Sequence, residues 1–210
     1  MSFEVVIRKR LGTHDVAADF VAEGPVTALV GPSGVGKTSI LNMVAGILKP
    51  DAGRILVDGR VLFDADAGID VPPEQRHAGY VFQDDRLFPH LNVTGNLLYG
   101  RRMAKGPEHG IDPDEVIALL GLEPLARRYP GTLSGGEARR VAIGRALLRE
   151  PAFLLLDEPL SFLDAARREE IMGVIERLRD AARLPILLVT HDAAEAERLG
   201  TRIVGMPGGG

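Results

Sequence analysis

The sequence GPSGVGKT at residues 31–38 has the residue types and spacing of a loop that holds phosphate groups. Its glycines let backbone N–H groups converge on phosphate oxygens, its lysine can bridge the β- and γ-phosphates, and its threonine hydroxyl can hold Mg²⁺. The alternative is a glycine-rich turn with a surface lysine. The predicted nucleotide contacts are Gly31, Pro32, Ser33, Gly34, Val35, Gly36, Lys37, Thr38 and Ser39.

Two carboxylates, Asp157 and Glu158, directly follow the apolar run FLLL. In phosphate-loop enzymes a paired acidic residue holds Mg²⁺, and we predict that Asp157 does so through water. Glu158 is the candidate general base that orients an attacking water. The alternative is a strand that simply exits into a polar loop, and the phosphate loop at 31–38 argues against it.

Two further polar residues end predicted strands. Gln83 closes YVFQ, and its amide is predicted to contact both Mg²⁺ and the attacking water. His191 closes PILLVTH, at the strand end that faces the ligand crevice, and is predicted to contact the γ-phosphate. The alternatives are an ordinary strand-terminal glutamine and a solvent-facing histidine that caps a helix. With Lys37 and Glu158, these residues complete the predicted catalytic set.

A second helix start lies in TLSGGEARR at 132–140. Ser134 is placed to cap the helix, and Glu137 stands three residues later, as in a capping box. The bare N–H groups of Gly135 and Gly136 make such a helix start a natural anion site. The alternative is a helix that is merely capped by Ser134 and uses its glycine pair as a hinge.

Strand-sized apolar runs alternate with helical patterns along the chain, which predicts a mostly parallel sheet between helices. The runs at 3–7 and 15–22 predict an N-terminal antiparallel β element. In the middle of the chain, helical patterns joined by proline- and glycine-containing loops indicate an inserted helical subdomain. We expect one α/β domain over 1–210, divided into a core at 1–83 and 151–210 and a helical subdomain at about 84–150.

Composition argues against several classes of protein. The 210-residue chain has a net charge of −4 and no cysteine, which argues against a general nucleic-acid or membrane-surface binder and excludes disulfides. Its apolar runs are far too short to span a membrane. Arginine pairs such as 139–140 are offset by acids and are predicted to lie on solvated helix faces. We predict a loop at 106–110 and a frayed tail at 205–210.

Together these motifs resemble the nucleotide-binding subunit of an ABC transporter. The phosphate loop, the glutamine after a strand, LSGGE, LLLDE, SFLD and the strand-end histidine follow that family's order, and the resemblance runs from Phe3 to about Met206. It implies a P-loop NTPase core that binds ATP and Mg²⁺. It also implies a head-to-tail homodimer, in which Ser134, Gly135 and Gly136 of one protomer complete the ATP site of the other.

The stretch at 59–100 is similar to the ATPase subunits of molybdate importers, in which YVFQ, RLFPHL and GNLLYG take similar forms. This resemblance implies an ATP-hydrolysing importer subunit for molybdate or a related oxyanion. Such a subunit docks on integral-membrane permease subunits, here near 84–100, and works indirectly with a periplasmic or extracellular substrate-binding protein. Its expected location is the cytoplasmic face of the cell membrane, and no nucleic-acid partner is expected.

The main alternative is the ATPase subunit of another ABC transporter, for another imported substrate or for export or lipoprotein release. It shares every ATP motif, and only the stretch at 59–100 argues against it. A soluble ABC-type ATPase that acts on DNA or ribosomes usually has two ATPase cores or a long coiled coil, which this sequence does not contain. A non-hydrolysing nucleotide sensor is expected to lack a base at Glu158.

Three features depart from the pattern of the molybdate group. Its members usually carry a C-terminal regulatory domain, and we expect this chain to lack it. The family usually has an aromatic residue near the N-terminus that stacks on adenine. Here the candidates for that position are His14 and Leu11, and the alternative for His14 is a histidine in a turn. Phe162 stands where a small residue is more usual, in the loop that is expected to place Asp164 at the dimer interface.

Overall fold

The computed structural model describes residues 1–103, 112–181 and 184–206. The predicted loop at 106–110 and the end of the predicted tail, 207–210, lie outside these residues. The described residues form ten strands: β1 (Ser2–Leu11), β2 (His14–Glu23), β3 (Val26–Val30), β4 (Ala52–Val57), β5 (Arg60–Asp64), β6 (Ile69–Asp70), β7 (Ala78–Val81), β8 (Phe153–Asp157), β9 (Ile186–Thr190) and β10 (Arg202–Gly205). They also form seven α-helices: α1 (Lys37–Ala45), α2 (Pro73–Arg76), α3 (Val93–Met103), α4 (Pro113–Leu120), α5 (Gly135–Leu147), α6 (Ala165–Ala181) and α7 (Ala193–Leu199). Within the described ranges, none of these helices has the length and apolar character needed to cross a membrane.

The strands form two sheets of opposite character. One sheet is antiparallel and has the order β2-β1-β4-β5-β6, with β1 and β2 paired from Ser2 opposite Glu23 to Leu11 opposite His14. The other has the order β10-β3-β9-β8-β7, and every neighbouring pair in it is parallel. The predicted antiparallel element and the predicted parallel sheet are both confirmed.

The parallel sheet is buried on both faces. In β8, Phe153 and Leu155 enter the apolar core that the sheet shares with α1 and the antiparallel sheet. Leu154 and Leu156 enter a second core, which includes residues of α5 and α6. Because successive side chains point to opposite faces of a strand, a strand covered on both sides is apolar at every position. This explains the uninterrupted run FLLL.

Helix α1, which follows the phosphate loop, lies against both sheets and is fixed at its carboxyl end. Ile40 and Leu41 are fully buried. The guanidinium of Arg76, also fully buried, donates to the carbonyls of Met43 and Val44 at 2.8 and 3.0 Å. A cation at a helix C-terminus interacts favourably with the helix dipole and satisfies carbonyls that have no partner within the helix. Arg76 therefore helps to hold the helix that carries the phosphate loop.

Three helices, α3, α4 and α5, come between β7 and β8 along the chain. Helix α5 packs closely on the other two at Gly144, where a Cβ would lie 2.7 Å from a methyl of Leu97 and 2.9 Å from a methyl of Leu120. All three helices fall within the segment 84–150. The division of the chain into a core and a helical subdomain stays a prediction.

Strand β7 is shorter than the predicted strand at 77–83. Its pairing with β8 stops at Val81 opposite Leu156. The carbonyls of Phe82 and Gln83 then accept hydrogen bonds from an arginine side chain of α5 instead of from β8. Gln83 therefore lies just beyond the strand rather than at its last position.

Phe162 is an exposed residue with a strained backbone. Its φ is +62°, and it is 88% exposed. A residue with a Cβ pays about 1 kcal/mol or more for this conformation, which glycine adopts freely. Phe162→Gly is therefore expected to raise the unfolding temperature by about 2 °C, as measured by scanning calorimetry. Phe162→Ala keeps the Cβ and is the control; an equal rise in that variant would contradict the strain argument.

Candidate functional site

The carboxyl ends of β3, β9, β8 and β7 lie side by side, because these strands are parallel neighbours. Ligands of open α/β sheets bind at this edge. The predicted residues follow the strand ends as follows: the loop 31–38 follows β3, His191 follows β9, Asp157 ends β8 and precedes Glu158, and Gln83 is two residues after β7. The structure thus places the predicted catalytic residues of a single chain at the same edge of the parallel sheet: Lys37, Gln83, Glu158 and His191.

The phosphate loop folds tightly because two of its glycines adopt the left-handed conformation. Their φ angles are +83° at Gly34 and +99° at Gly36. A Cβ at Gly36 would also lie 2.7 Å from both methyl carbons of Val16, so glycine alone fits there. No side chain caps α1, and the N–H groups of Lys37 and Thr38 have no hydrogen-bond partner in the described part of the chain. The start of α1 is therefore free to bind an anion.

The ammonium group of Lys37 is held inside this loop. The residue is 5% exposed, and its Nζ donates to the carbonyls of Gly31 and Pro32 at 2.7 and 2.9 Å. The same Nζ lies 4.0 Å from a carboxylate oxygen of Glu158. Burial lowers the pKa of Lys37, and the nearby carboxylates of Glu158 and Asp157 oppose that shift. The Lys37 Nζ is therefore fixed inside the loop, beside the carboxylate of Glu158.

Thr38 and Asp157 form a pair of oxygen ligands beside the loop. The hydroxyl of Thr38 donates to Oδ1 of Asp157 at 3.0 Å. Asp157 is 3% exposed, and burial raises the pKa of its carboxyl group while the hydrogen bond from Thr38 lowers it. Mg²⁺ takes hydroxyl and carboxylate oxygens as ligands. A buried carboxylate next to a hydroxyl therefore fits a divalent cation.

Glu158 is the centre of the candidate catalytic group. One of its carboxylate oxygens lies 3.3 Å from Nδ1 of His191 and 3.5 Å from Nε2 of Gln83. Its backbone is fixed, because its N–H donates to Val189 at 3.0 Å and its carbonyl accepts from the hydroxyl of Ser161 at 2.8 Å. Its φ of +44° is an unfavourable conformation of the kind found at functional sites. The turn therefore aims the carboxylate at both neighbours.

His14 lies on the face of β2 that contacts the phosphate loop. It begins β2, two residues before Val16, whose methyl groups face Gly36. Residues two apart in a strand share a face, so His14 is on the same side of β2 as the loop, and it is exposed. Its partner across the hairpin, Leu11, packs against the apolar core instead. This geometry favours His14 over Leu11 as the stacking candidate.

The second predicted anion site opens helix α5 with a complete capping box. Ser134 Oγ accepts from the N–H of Glu137 at 3.3 Å, and the Glu137 carboxylate accepts from the N–H of Ser134 at 2.7 Å. The N–H groups of Gly135 and Gly136 have no partner among the described residues. Across those same residues, no hydrogen bond or ion pair joins 134–136 to the phosphate loop of its own chain.

The two glycines of this helix start also have a packing reason within the chain. A Cβ at Gly136 would lie 3.2 Å from the Cβ of Arg167, and a Cβ at Gly135 would lie 3.3 Å from a methyl of Leu163. Both distances are tighter than ordinary contact. Close packing against the start of α6 is thus a constraint on these glycines that the sequence does not reveal.

Comparison with known proteins places the chain in a family. A family model described as ABC transporter matches residues 16–161. The chain belongs to the ABC transporter family. The matched range of this ABC transporter chain contains the phosphate loop, the helix start at 134–136 and Glu158, whereas His14 and His191 lie outside it.

The ABC transporter chain is also similar to proteins named molybdenum import ATP-binding protein ModC. It is 55% identical to the Mesorhizobium japonicum protein over 204 residues, or 97% of this chain. It is 56% identical to the Brucella abortus protein over 200 residues, or 95% of this chain, and 50% identical to the Rhizobium meliloti protein over 209 residues, or 100% of it. The chain spans 55% to 58% of the length of these relatives.

Solved structures of ABC proteins have the same fold. The chain resembles cbiO1 of Clostridium perfringens, part of an ABC transporter complex, with a TM-score of 0.81 and 30% identity over 98% of this chain and 84% of that one. It resembles a dimeric ATP-binding cassette in a post-hydrolysis state, bound to ADP and Pi, with a TM-score of 0.74 and 27% identity over 98% and 94% of the two chains. These likenesses confirm the expected α/β fold of a P-loop NTPase core.

The sequence did not identify one residue of this ABC transporter chain that fixes the backbone next to the site, Arg139. The prediction that the pair 139–140 lies on a solvated face is wrong for Arg139, which is 3% exposed. Its guanidinium donates to the backbone of Phe82 and Gln83, which compensates for its burial. A signal was available, because Gly136, Arg139 and Ile143 follow the 3–4 residue spacing of one buried helix face.

Proposed function

We propose that this chain is the ATP-binding and ATP-hydrolysing subunit of an ABC importer for molybdate or a related oxyanion. The observation that carries the chemistry is the meeting of Lys37, Asp157 and Glu158 at one edge of the parallel sheet. Identity of 50% to 56% to proteins named molybdenum import ATP-binding protein ModC supports the choice of cargo.

In this proposal the triphosphate of ATP lies in the loop 31–38. The free N–H groups and the dipole at the start of α1 stabilise the phosphate oxygens, and Lys37 contributes a full positive charge. Ser39 lies one residue further along the same helix start. The exposed ring of His14, on the side of β2 that faces the loop, stacks on adenine.

Thr38 and Asp157 are the proposed Mg²⁺ residues, joined by Gln83 from the neighbouring strand end. Asp157 is buried beside the Thr38 hydroxyl, so a bound cation would balance a carboxylate charge that is costly to bury. When bound, Mg²⁺ neutralises negative charge on the phosphates.

Glu158 is the proposed general base for hydrolysis. It takes a proton from water as the water oxygen bonds to the γ-phosphorus and the bond to the oxygen shared with the β-phosphate breaks, which yields ADP and inorganic phosphate. Gln83, whose amide lies 3.5 Å from its carboxylate, orients that water, and His191, at 3.3 Å from the same carboxylate, contacts the γ-phosphate. Lys37 stabilises the charge that develops on the phosphate oxygens.

Two copies of the chain are proposed to close head to tail on two ATP molecules. The N–H groups of Gly135 and Gly136 are unpaired among the described residues and are not bonded to the phosphate loop of their own chain, which fits a role toward a second copy. A helix N-terminus suits the γ-phosphate of the partner's ATP. A solved cassette of similar fold is dimeric, which supports this arrangement.

A surface near 84–100 is the proposed docking site for an integral-membrane permease. A groove there is lined by the half-buried Phe82 and Phe88 and by Tyr99 and Ile47, which are 38% and 56% exposed. Exposed aromatic and aliphatic side chains of this kind mark protein interaction sites. The helical subdomain at about 84–150 would then carry the docking surface at the cytoplasmic face of the membrane, and a substrate-binding protein would act on the far side of the permease.

Co-purification from native membranes tests this function. The tagged full chain is recovered from detergent-solubilised membranes, and mass spectrometry identifies what accompanies it. Recovery of an oxyanion permease, together with loss of molybdate uptake in cells that lack the chain, is the expected result. Recovery of an exporter-type membrane protein would favour the alternative ABC transporter function, and recovery of no membrane protein would contradict a transport role.

Tyr99→Asp is expected to abolish recovery of the permease while ATP hydrolysis by the isolated chain stays within about twofold of the wild-type rate. A carboxylate in the groove would have to be desolvated on docking. Val21→Asp is the control, because Val21 is 59% exposed on the edge strand of the antiparallel sheet. Equal loss of the permease in both variants would contradict the assigned docking surface.

A further inference from the structure

Helix α5 holds the segment 82–86 through Arg139. Its Nη1 donates to the carbonyl of Phe82 at 2.9 Å, and its Nη2 donates to the carbonyl of Gln83 at 2.8 Å. Its Nε lies 2.9 Å from Oδ1 of Asp85. One planar guanidinium therefore reaches two consecutive carbonyls and a carboxylate, a geometry that arginine supports and lysine does not.

A second arginine of the same helix continues this grip. Arg145 donates to the carbonyls of Arg86 and Asp85 at 2.7 and 3.0 Å. Its guanidinium also lies 5.3 Å from the ring centre of Phe88, and the guanidinium of Arg86 lies 3.9 Å from the ring centre of Phe82. We name Arg139 and Arg145 the arginine clamp. It ties the segment 82–86, and the aromatic rings beside it, to α5.

The arginine clamp connects the start of helix α5 to the backbone of Gln83. Helix α5 begins at the capping box of Ser134, and Arg139 lies little more than one turn further along. The backbone that Arg139 holds belongs to Gln83, whose amide lies 3.5 Å from Glu158. Since charge-assisted hydrogen bonds to buried groups are strong, a shift of α5 would carry Gln83 with it.

We propose that Arg139 is a positioning residue for ATP hydrolysis, which holds the Gln83 amide at Glu158 and makes Gln83 follow the start of α5. This inference rests on the proposed function, because it requires an ATP site that 134–136 of a second copy completes. When a second copy closes on ATP, the movement of α5 then determines the position of Gln83. Through Arg145 it also determines the position of the surface around Phe88. Arg139 thus links the start of α5 to Gln83 within the chain.

Steady-state kinetics test the positioning role. Arg139→Met is expected to lower kcat about tenfold to a hundredfold while KM for ATP changes less than about twofold, because phosphate contacts remain and the geometry around Glu158 is lost. The matched control is Arg140→Met. Arg140 is the next residue of the same helix and also donates to a carbonyl, but that carbonyl belongs to Leu120 at the end of α4. The kcat of the Arg140→Met variant is expected to stay near the wild-type value.

Hydrogen–deuterium exchange without nucleotide gives a readout that does not depend on ATP. Arg139→Met is expected to speed exchange in 82–86, whereas Arg140→Met is expected to speed it near Leu120 instead. Arg139→Lys keeps the charge but cannot span both carbonyls, so it is expected to restore kcat only in part. This milder variant also decides the question if Arg139→Met fails to fold.

Two results would overturn the positioning role. One is a kcat for the Arg139 variants within about twofold of the Arg140→Met value, and the other is unchanged exchange in 82–86. If the wild-type chain hydrolyses no ATP at all, the proposed function fails, and the positioning role of Arg139 in hydrolysis fails with it. The exchange data would still show whether the arginine clamp holds the segment, so the two failures are distinguishable.

Discussion

Glu158→Gln is expected to lower the rate of ATP hydrolysis at least about a hundredfold while ATP binding is retained. The amide is almost isosteric with the carboxylate but cannot accept a proton from water. Its neighbours Gln83 and His191 and the backbone hydrogen bonds of its turn remain available to hold it. With hydrolysis blocked, the ATP-bound dimer should accumulate. Phosphate release and size-exclusion chromatography with ATP and Mg²⁺ measure the two effects.

Glu176→Gln is the matched control for this variant. Glu176 is a surface carboxylate that pairs with Arg198, away from the strand ends. The Glu176→Gln variant is expected to hydrolyse ATP at close to the wild-type rate and to form no trapped dimer. A Glu158→Gln variant that still hydrolyses ATP at the wild-type rate would show that the base has been assigned to the wrong residue.

Lys37→Met is expected to weaken ATP binding about a hundredfold, which corresponds to about 3 kcal/mol. Methionine keeps much of the length of the side chain but donates no hydrogen bond. The substitution removes the ammonium group from the loop. It leaves the carboxylates of Asp157 and Glu158 near the phosphates without a compensating charge. Fluorescence titration with a labelled ATP analogue measures the affinity of the isolated chain.

Lys49→Met separates a local effect of Lys37 from a general effect of charge. Lys49 is exposed and pairs with Asp70 at 3.2 Å, beyond the end of α1. Removal of its charge is expected to leave the affinity within about twofold of wild type. Equal losses of affinity in the two variants would contradict the assignment of Lys37 as the lysine that binds phosphate.

The strand ends were predictable from sequence because each carries its own local signal. The phosphate loop, the two carboxylates after FLLL and the capping box of Ser134 each combine residue type with spacing, and the structure brings the first two together. Each of these signals is contained within a few consecutive residues of the chain. Parallel strand order then aligns them at one edge, which follows from the alternation of strands and helices.

The contacts that span long distances in sequence were not predictable in the same way. Arg139 was predicted to be solvated, and its true partners, Phe82 and Gln83, lie more than fifty residues away. The packing of Gly136 on Arg167 likewise depends on how α6 meets α5. Spacing along one helix indicates a buried face, but it does not identify the segment that covers that face.

We propose that each ATP site is shared between two copies of the chain, which an experiment with mixed variants can test. Lys37→Met damages the phosphate loop, and Gly135→Asp damages the helix start, where a carboxylate suits the helix but repels phosphate. Each variant alone is expected to be inactive, because both of its sites lack one half.

ATP hydrolysis is then measured after the two variants are mixed in equal amounts. A mixed dimer contains one site in which both halves are intact, so we expect recovery of up to about a quarter of the wild-type rate, given random pairing and independent sites. A mixture that shows no more activity than the sum of its parts would contradict the shared site.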